Sequence, residues 1–245
     1  MDYYIRPEAV GNSVPESFIR ISSPEEIKLC DNACGSGHML TYAFDLLYAI
    51  YEEEGYDAAQ IPRLILTHNL TGIEIDERAG ELAAFALFMK AREKYRGFFR
   101  KPVQPHICIL KTIQFPENDL AVYMDAIGRD LFTANLQTLL HQFEEADNFG
   151  SLIRPALTNV QDVRNIIKAR GVGDNMFLAG IHDKVLTALD QADYLSPKYH
   201  VLVTNPPYMG GKGMNERLKE YLQENYSDAK SDLFSAFIVG AFLKQ

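Results

Sequence analysis

The sequence predicts an α/β fold: a sheet of four strands, with a helical insertion before the fourth. Three stretches carry that expectation. Ile27 to Leu40 runs from a short apolar segment through an acid and two glycines into a long helical pattern. Leu70 to Asp76 alternates apolar and polar residues, ends in acids and is followed by an Ala- and Leu-rich helical stretch. Tyr199 to Thr204 alternates again and runs straight into Asn205-Pro206-Pro207-Tyr208. Strands alternating with helices are the pattern of βαβ units.

The chain of 245 residues is long enough for one substantial core. Hydrophobic residues at 47% with charged residues at 23% describe a folded chain rather than a disordered one. No apolar run reaches membrane-spanning length and the start lacks a secretory pattern, so no membrane partner is expected. Cys30, Cys34 and Cys108 form no framework, and a reducing cytoplasm fits them. A net charge of −9 argues against a nucleic-acid module acting alone, but not against a catalytic core whose DNA grip lies elsewhere. The six histidines show no spacing suited to zinc.

Residues 1–26, with Pro7, Pro15 and Pro24, read as an irregular lead. In the first unit, Gly35 and Gly37 allow a sharp turn and close approach of a ligand. The following helix, about Gly37 to Glu54, is expected to bury Leu40, Phe44, Leu47 and Ile50-Tyr51. There is no GxxxxGK[ST] phosphate loop, and the third glycine of a dinucleotide fingerprint is missing. Asp31 would repel a pyrophosphate but suits a ligand bearing an amino group or positive charge.

Leu64 to Ile75 forms the second core segment, followed by a helix from about Arg78 to Tyr95. An acid ending the second strand is where ribose hydroxyls are commonly held; Glu74 is the candidate, with Ile75 as an apolar face for a flat ring. The competing reading is that Glu74 and Asp76 merely solvate a strand end. The basic run Lys90 to Lys101 reads as a solvated helix end. His106 to Leu110 is a third strand. Residues 116–198 hold helical segments at about Asp119 to Asp147 and Asn175 to Tyr194, too long for a plain crossover, and read as a helical insertion. After the fourth strand, Asn215 to Asn225 and Ser231 to Phe242 read as helices.

The corner at residues 205–208 carries the chemistry. The Asn205 amide oxygen and the Pro206 carbonyl can accept both hydrogens of a planar NH₂, while Tyr208 offers a stacking face. Pro206 and Pro207 hold the loop rigid. A rigid proline loop with a structural asparagine is the bland alternative.

DNACGSGHML (31–40), GIEID (72–76) and NPPY (205–208) together resemble the S-adenosylmethionine-dependent adenine-N6 DNA methyltransferases. IKLCDNACGSGH, FGSLI (149–153), VLVTNPPYMG (201–210) and SDLFSAFI (231–238) bring the likeness closer to the large BREX and fused restriction–modification enzymes of bacterial phage defence. The resemblance covers about residues 25–245. It implies a Rossmann-like class I methyltransferase sheet, expected to be incomplete at its first four strands, within a partial domain spanning 27–245. It further implies S-adenosyl-L-methionine as cofactor, held by Asp31, Ala33, Gly35, Gly37, Glu74 and Ile75. Asn205, Pro206, Pro207 and Tyr208 would form the catalytic corner acting on a base flipped from the duplex. Double-stranded DNA would be gripped through regions absent from this chain, with other defence subunits as further partners.

Departures from the pattern are Asn32 in place of a frequent proline and the missing acid after the third strand, where Lys111 and Thr112 follow Leu110. Glu117 and Asp119 are the remaining candidates for the cofactor adenine. A fourth strand without its usual neighbour is expected to be an open edge, and the chain reads as a fragment inactive alone. Other readings are a methyltransferase acting on a protein glutamine amide or an RNA base, and a catalytically silent module of a defence complex.

Overall fold

The computed structural model describes residues 20–128, 133–157, 159–173 and 175–242. Residues 1–19 of the expected lead lie outside that set. Four strands, β1 (Leu29–Asp31), β2 (Leu70–Glu74), β3 (His106–Ile109) and β4 (Val201–Val203), pair in parallel in the order β3-β2-β1-β4. The chain steps outward from β1 to β2 to β3, then crosses back to place β4 on the other side of β1. This is a Rossmann-like sheet, and its strand order reverses between β1 and β4. Ligands of open α/β sheets bind outside the carboxyl ends of the strands at such a reversal. β4 is an edge of the described sheet, as expected.

Successive residues of a strand face opposite sides. Leu29 and Leu70 therefore join the core under α1 (His38–Glu53), α2 (Ile61–Leu64) and α3 (Glu77–Lys94). Cys30, Ile73 and Cys108 face the other way. On α1, Leu40, Phe44, Leu47 and Tyr51 are buried as expected, whereas Ile50 is only half-buried and Tyr48 is buried instead. The first part of the core segment expected over Leu64 to Ile75 is helical: α2 continues into a π-turn over Ile65–Asn69, and the strand begins only at Leu70. Asn69, buried there, accepts from the Tyr51 hydroxyl at 2.9 Å and donates to the carbonyls of Pro24 at 2.7 Å and Ile27 at 2.8 Å. That amide ties the entry chain to the sheet.

The basic end of α3 is more than a solvated tip. Lys90 pairs with Asp45 of α1, and Lys94 lies 3.6 Å from the same carboxylate and 4.7 Å from the Tyr48 ring centroid.

Between β3 and β4 run α4 (Glu117–Ile127), α5 (Thr133–Gln142), α6 (Ala146–Phe149), α7 (Val160–Arg170) and α8 (Met176–Leu195). The single helical segment expected over 119–147 is broken by Gly128, at φ +87°, and by a 3₁₀ turn at Phe143–Glu145. α7 lies in a region where the sequence pattern predicts no element. Leu120, Tyr123, Leu139, Phe143, Val163 and Leu189 of this insertion pack with Cys30 and Ile73, so the insertion covers the second face of the sheet. α9 (Glu216–Asn225) and α10 (Leu233–Phe242) form a third cluster with Leu152. Among the described residues, no helix is long and apolar enough to cross a membrane.

Candidate functional site

Asp31 is the register partner of Val203, so β1 and β4 deliver their exit loops at the same level of the sheet. From β1 the chain enters the turn 31–37, closed by hydrogen bonds from Cys34 N to Ile73 O at 3.0 Å and from Gly37 N to Cys34 O at 2.8 Å. Gly35 (φ +51°) and Gly37 (φ +84°) adopt left-handed conformations that favour glycine. Their surroundings differ. Nothing lies within 4 Å of a Cβ built on Gly35, whereas one on Gly37 would meet Ala83 of α3 at 3.0 Å. Gly35 leaves open space; Gly37 permits close helix packing.

Asp31 is 1% exposed and has no ion pair among the described residues; the amide of Ala33 donates to it at 3.3 Å. Burial, with the nearby Glu74 charge, raises its carboxyl from an ordinary 3.8 to about 6, while the Ala33 bond opposes the shift. Glu74 receives the Gly35 amide at 2.7 Å on one oxygen, and those of Ile75 and Asp76 at 2.9 and 3.1 Å on the other. The acid at the end of β2 thereby fixes the glycine turn leaving β1.

From β4 the chain enters residues 205–208. Pro206 is buried, while Asn205, Pro207 and Tyr208 are exposed. The Tyr208 hydroxyl reaches Asn205 Oδ1 at 3.4 Å, a long contact, and its ring lies parallel to that of Phe234, with centroids 6.1 Å apart and 13° between planes. The loop is fastened to the start of α10: Gly211 N donates to Ser231 O at 3.1 Å and Leu233 N to Met209 O at 3.0 Å. Phe234 and its segment gave no functional signal of their own beyond the phrase SDLFSAFI.

A cavity of about 390 Å³ lies between the two loops, within the roughly 300–1,000 Å³ typical of small-molecule sites. Ala33, Gly35, Glu74, Ile75, Asn205 and Pro207 line it. Asp31, Gly37, Pro206 and Tyr208 are not among its lining residues, nor are Glu117 and Asp119. Asn32 also lines it, 3% exposed, and its Oδ1 has no hydrogen-bond partner. Thr204 Oγ1, one residue before the acceptor corner, is likewise buried and unpartnered. The Asn32 oxygen is a buried acceptor on a cavity-lining residue, of the kind that a bound polar group satisfies.

The remaining wall was not foreseen. Asn148, Phe149, Gly150, Ser151 and Leu152 return from the insertion to the strand ends and line the cavity, joined by Leu233 and Phe237 of the α10 segment. This strap is firmly held. Ser151 Oγ donates to Asn32 O at 2.5 Å, and Leu152 O accepts from both Tyr221 and Tyr226 hydroxyls at 2.9 and 2.8 Å. Phe149 stacks on Tyr221 at 4.1 Å. The phrase FGSLI was the only sequence signal for it.

The Eco57I restriction-modification methylase family matches residues 68–243. The chain is similar to the adenine-specific methyltransferase BrxX of Escherichia coli O9:H4 (strain HS), 34% identical over 99% of this chain and 22% of that protein. It is also similar to the adenine-specific methyltransferase PglX of Lacticaseibacillus casei (strain Zhang), 32% identical over 96% of this chain and 20% of that protein. The chain thus spans about a fifth of the length of these curated relatives.

Proposed function

This chain belongs to the Eco57I restriction-modification methylase family, and from that membership we propose that it forms the methyl-donor half of an adenine-specific DNA methyltransferase. The donor is S-adenosyl-L-methionine, the acceptor is N6 of an adenine flipped out of double-stranded DNA, and the setting is a bacterial restriction–modification or phage-defence system in the cytoplasm. Duplex DNA is gripped by regions outside this chain, alongside other subunits of the system. The observation that carries this reading is the Asp31–Val203 register, which sets the glycine turn and Asn205 on either side of one cavity.

The residues present fit the donor. Asp31 is a buried carboxylate without an ion pair among the described residues, set beneath the turn whose Ala33 and Gly35 line the cavity, so its charge favours the ammonium of the donor's amino-acid end. Gly35 leaves room at the turn, Ala33 borders the same space, and Glu74 is placed for the ribose hydroxyls. Gly37 supports the turn by admitting α3 at close range. Ile75 gives the nucleobase an apolar face.

When bound, the donor would supply an electrophilic sulfonium methyl to the target amine and leave as the neutral thioether. Asn205 Oδ1 and the Pro206 carbonyl accept the two N6 hydrogens, turning the nitrogen lone pair toward that methyl. Pro207 fixes the corner, and Tyr208, beside Phe234, stacks on the extruded base. The methylated nitrogen then releases its extra proton to water, so no strongly basic side chain is required. Alignment and polar complementarity supply the acceleration.

Incubating the full-length gene product with labelled S-adenosylmethionine and duplex DNA, then digesting to nucleosides, tests the assignment. N6-methyladenine is the expected product. Label in cytosine or in protein, with none in adenine, would overturn it.

A further inference from the structure

We propose that Asn148, delivered by the insertion strap, reads the amino edge of the donor's adenine. The inference rests on the donor reading above and names a contact for which the sequence offered no satisfactory residue. If Glu74 holds the ribose, the base lies beyond it at the β2 end of the cavity, bounded by Ile75, Asp76, Asn148, Phe149 and Gly150. Two polar side chains stand there. Asp76 uses Oδ1 to cap α3 through Ala79 N at 2.9 Å. Asn148 is the other, and an asparagine carbonyl can accept from the adenine N6 amino group.

The end of β3 is otherwise engaged. Gln191 of α8 brackets Lys111, accepting from its N–H at 2.7 Å and donating to its C=O at 3.2 Å, and the Lys111 ammonium pairs with Glu77. Thr112 hydrogen-bonds the Asp147 carboxylate and accepts from the Asp147 amide at 3.3 Å. That anchor sets the residue next to Asn148 against the strand end. Glu117, exposed at the start of α4, and Asp119 lie away from the cavity lining.

Asn148 is held but not saturated. Its Oδ1 accepts from Asn215 Nδ2 at 2.8 Å, and its own Nδ2 donates to Glu145 at 3.1 Å and to Asn215 Oδ1 at 3.4 Å. The carbonyl retains a second acceptor site, which an N6 hydrogen can fill while the edge facing Asn215 stays paired. Asn215 is itself fixed as the α9 cap through Leu218 N at 2.8 Å, so the amide's orientation is set from outside the cavity. Gly150, whose added Cβ would lie 3.2 Å from Ile75 Cγ2, keeps the strap close to β2.

The test compares S-adenosylhomocysteine with S-inosylhomocysteine, which carries oxygen in place of the amino group, by titration calorimetry on the full-length protein. The wild type should prefer the adenosyl ligand by at least tenfold. Asn148→Ala should lose about tenfold for the adenosyl ligand and hold the inosyl affinity within twofold, which also reports an intact fold. A preference unchanged in Asn148→Ala, or absent from the wild type, would overturn the role of Asn148 while leaving the donor site standing. A wild type that binds neither ligand would instead remove the donor reading, and this contact with it.

Discussion

Gly35 and Glu74 stand thirty-nine residues apart in sequence, yet the amide of one donates to the carboxylate of the other at 2.7 Å. The turn after β1 is therefore set by the acid that ends β2, and one side chain serves both the backbone and the proposed ribose contact. Removing it should act twice. Glu74→Ala is expected to weaken S-adenosylmethionine binding by about 10- to 100-fold, the loss of two charge-assisted hydrogen bonds. Calorimetry checks this; affinity within twofold of wild type would remove the ribose assignment.

Asp31 predicts opposite pH dependences for stability and binding. Its folded-state value of about 6 lies above the ordinary 3.8, so the unliganded folded protein holds a proton that the unfolded chain releases. This group's penalty on stability is accordingly full above about pH 6 and is relieved as pH falls toward 4. A cationic ligand needs the carboxylate, so donor affinity should decline as pH falls through about 6. Asp31→Asn should stabilise the unliganded protein at pH 8 by about 1–3 kcal/mol and flatten the binding profile at low affinity. Thermal melts and calorimetry at pH 5 and pH 8 check both signs.

The two turn glycines should separate stability from binding. At Gly37, a methyl group meets Ala83 at 3.0 Å in a left-handed conformation, so Gly37→Ala should cost about 2 kcal/mol or more in a denaturant melt. At Gly35 the added methyl enters open space beside the cavity. Gly35→Ala should cost about 1 kcal/mol in stability while lowering donor affinity more than Gly37→Ala does.

Tyr208 should depend on its ring rather than its hydroxyl, since that hydroxyl makes only a 3.4 Å contact whereas the ring lies parallel to Phe234. Tyr208→Phe is expected to keep methylation within about threefold. Tyr208→Ala should lower kcat/KM for DNA by about tenfold or more, with donor affinity unchanged. Steady-state kinetics with varied DNA distinguishes the two variants.

Much of this was legible locally. The alternation in β2 and β4, the helical spacing of Leu40, Phe44, Leu47 and Tyr51, and the glycine turn are each set by neighbours a few residues away. Their juxtaposition followed from reading the strands as parallel units. The strap was not legible as part of a site, because Asn148 and Phe149 reach the cavity only after three helical stretches and through long-range partners, Thr112, Asn32 and Tyr221. The breaks near Gly128 and Phe143 were missed for a related reason: apolar spacing continues across them while the chain turns. Lys90 and Lys94 look solvated in sequence because their partner, Asp45, sits on another helix.

The most direct measurement is a split between donor binding and turnover in Asn205→Ala of the full-length protein. Asn205 belongs to the loop leaving β4 and makes none of the hydrogen bonds that shape the β1 turn. Its loss should reduce methyl transfer to duplex DNA by at least about 100-fold while S-adenosylmethionine affinity stays within about threefold. Turnover at the wild-type rate would contradict the account, as would a collapse of donor binding matching the loss of activity.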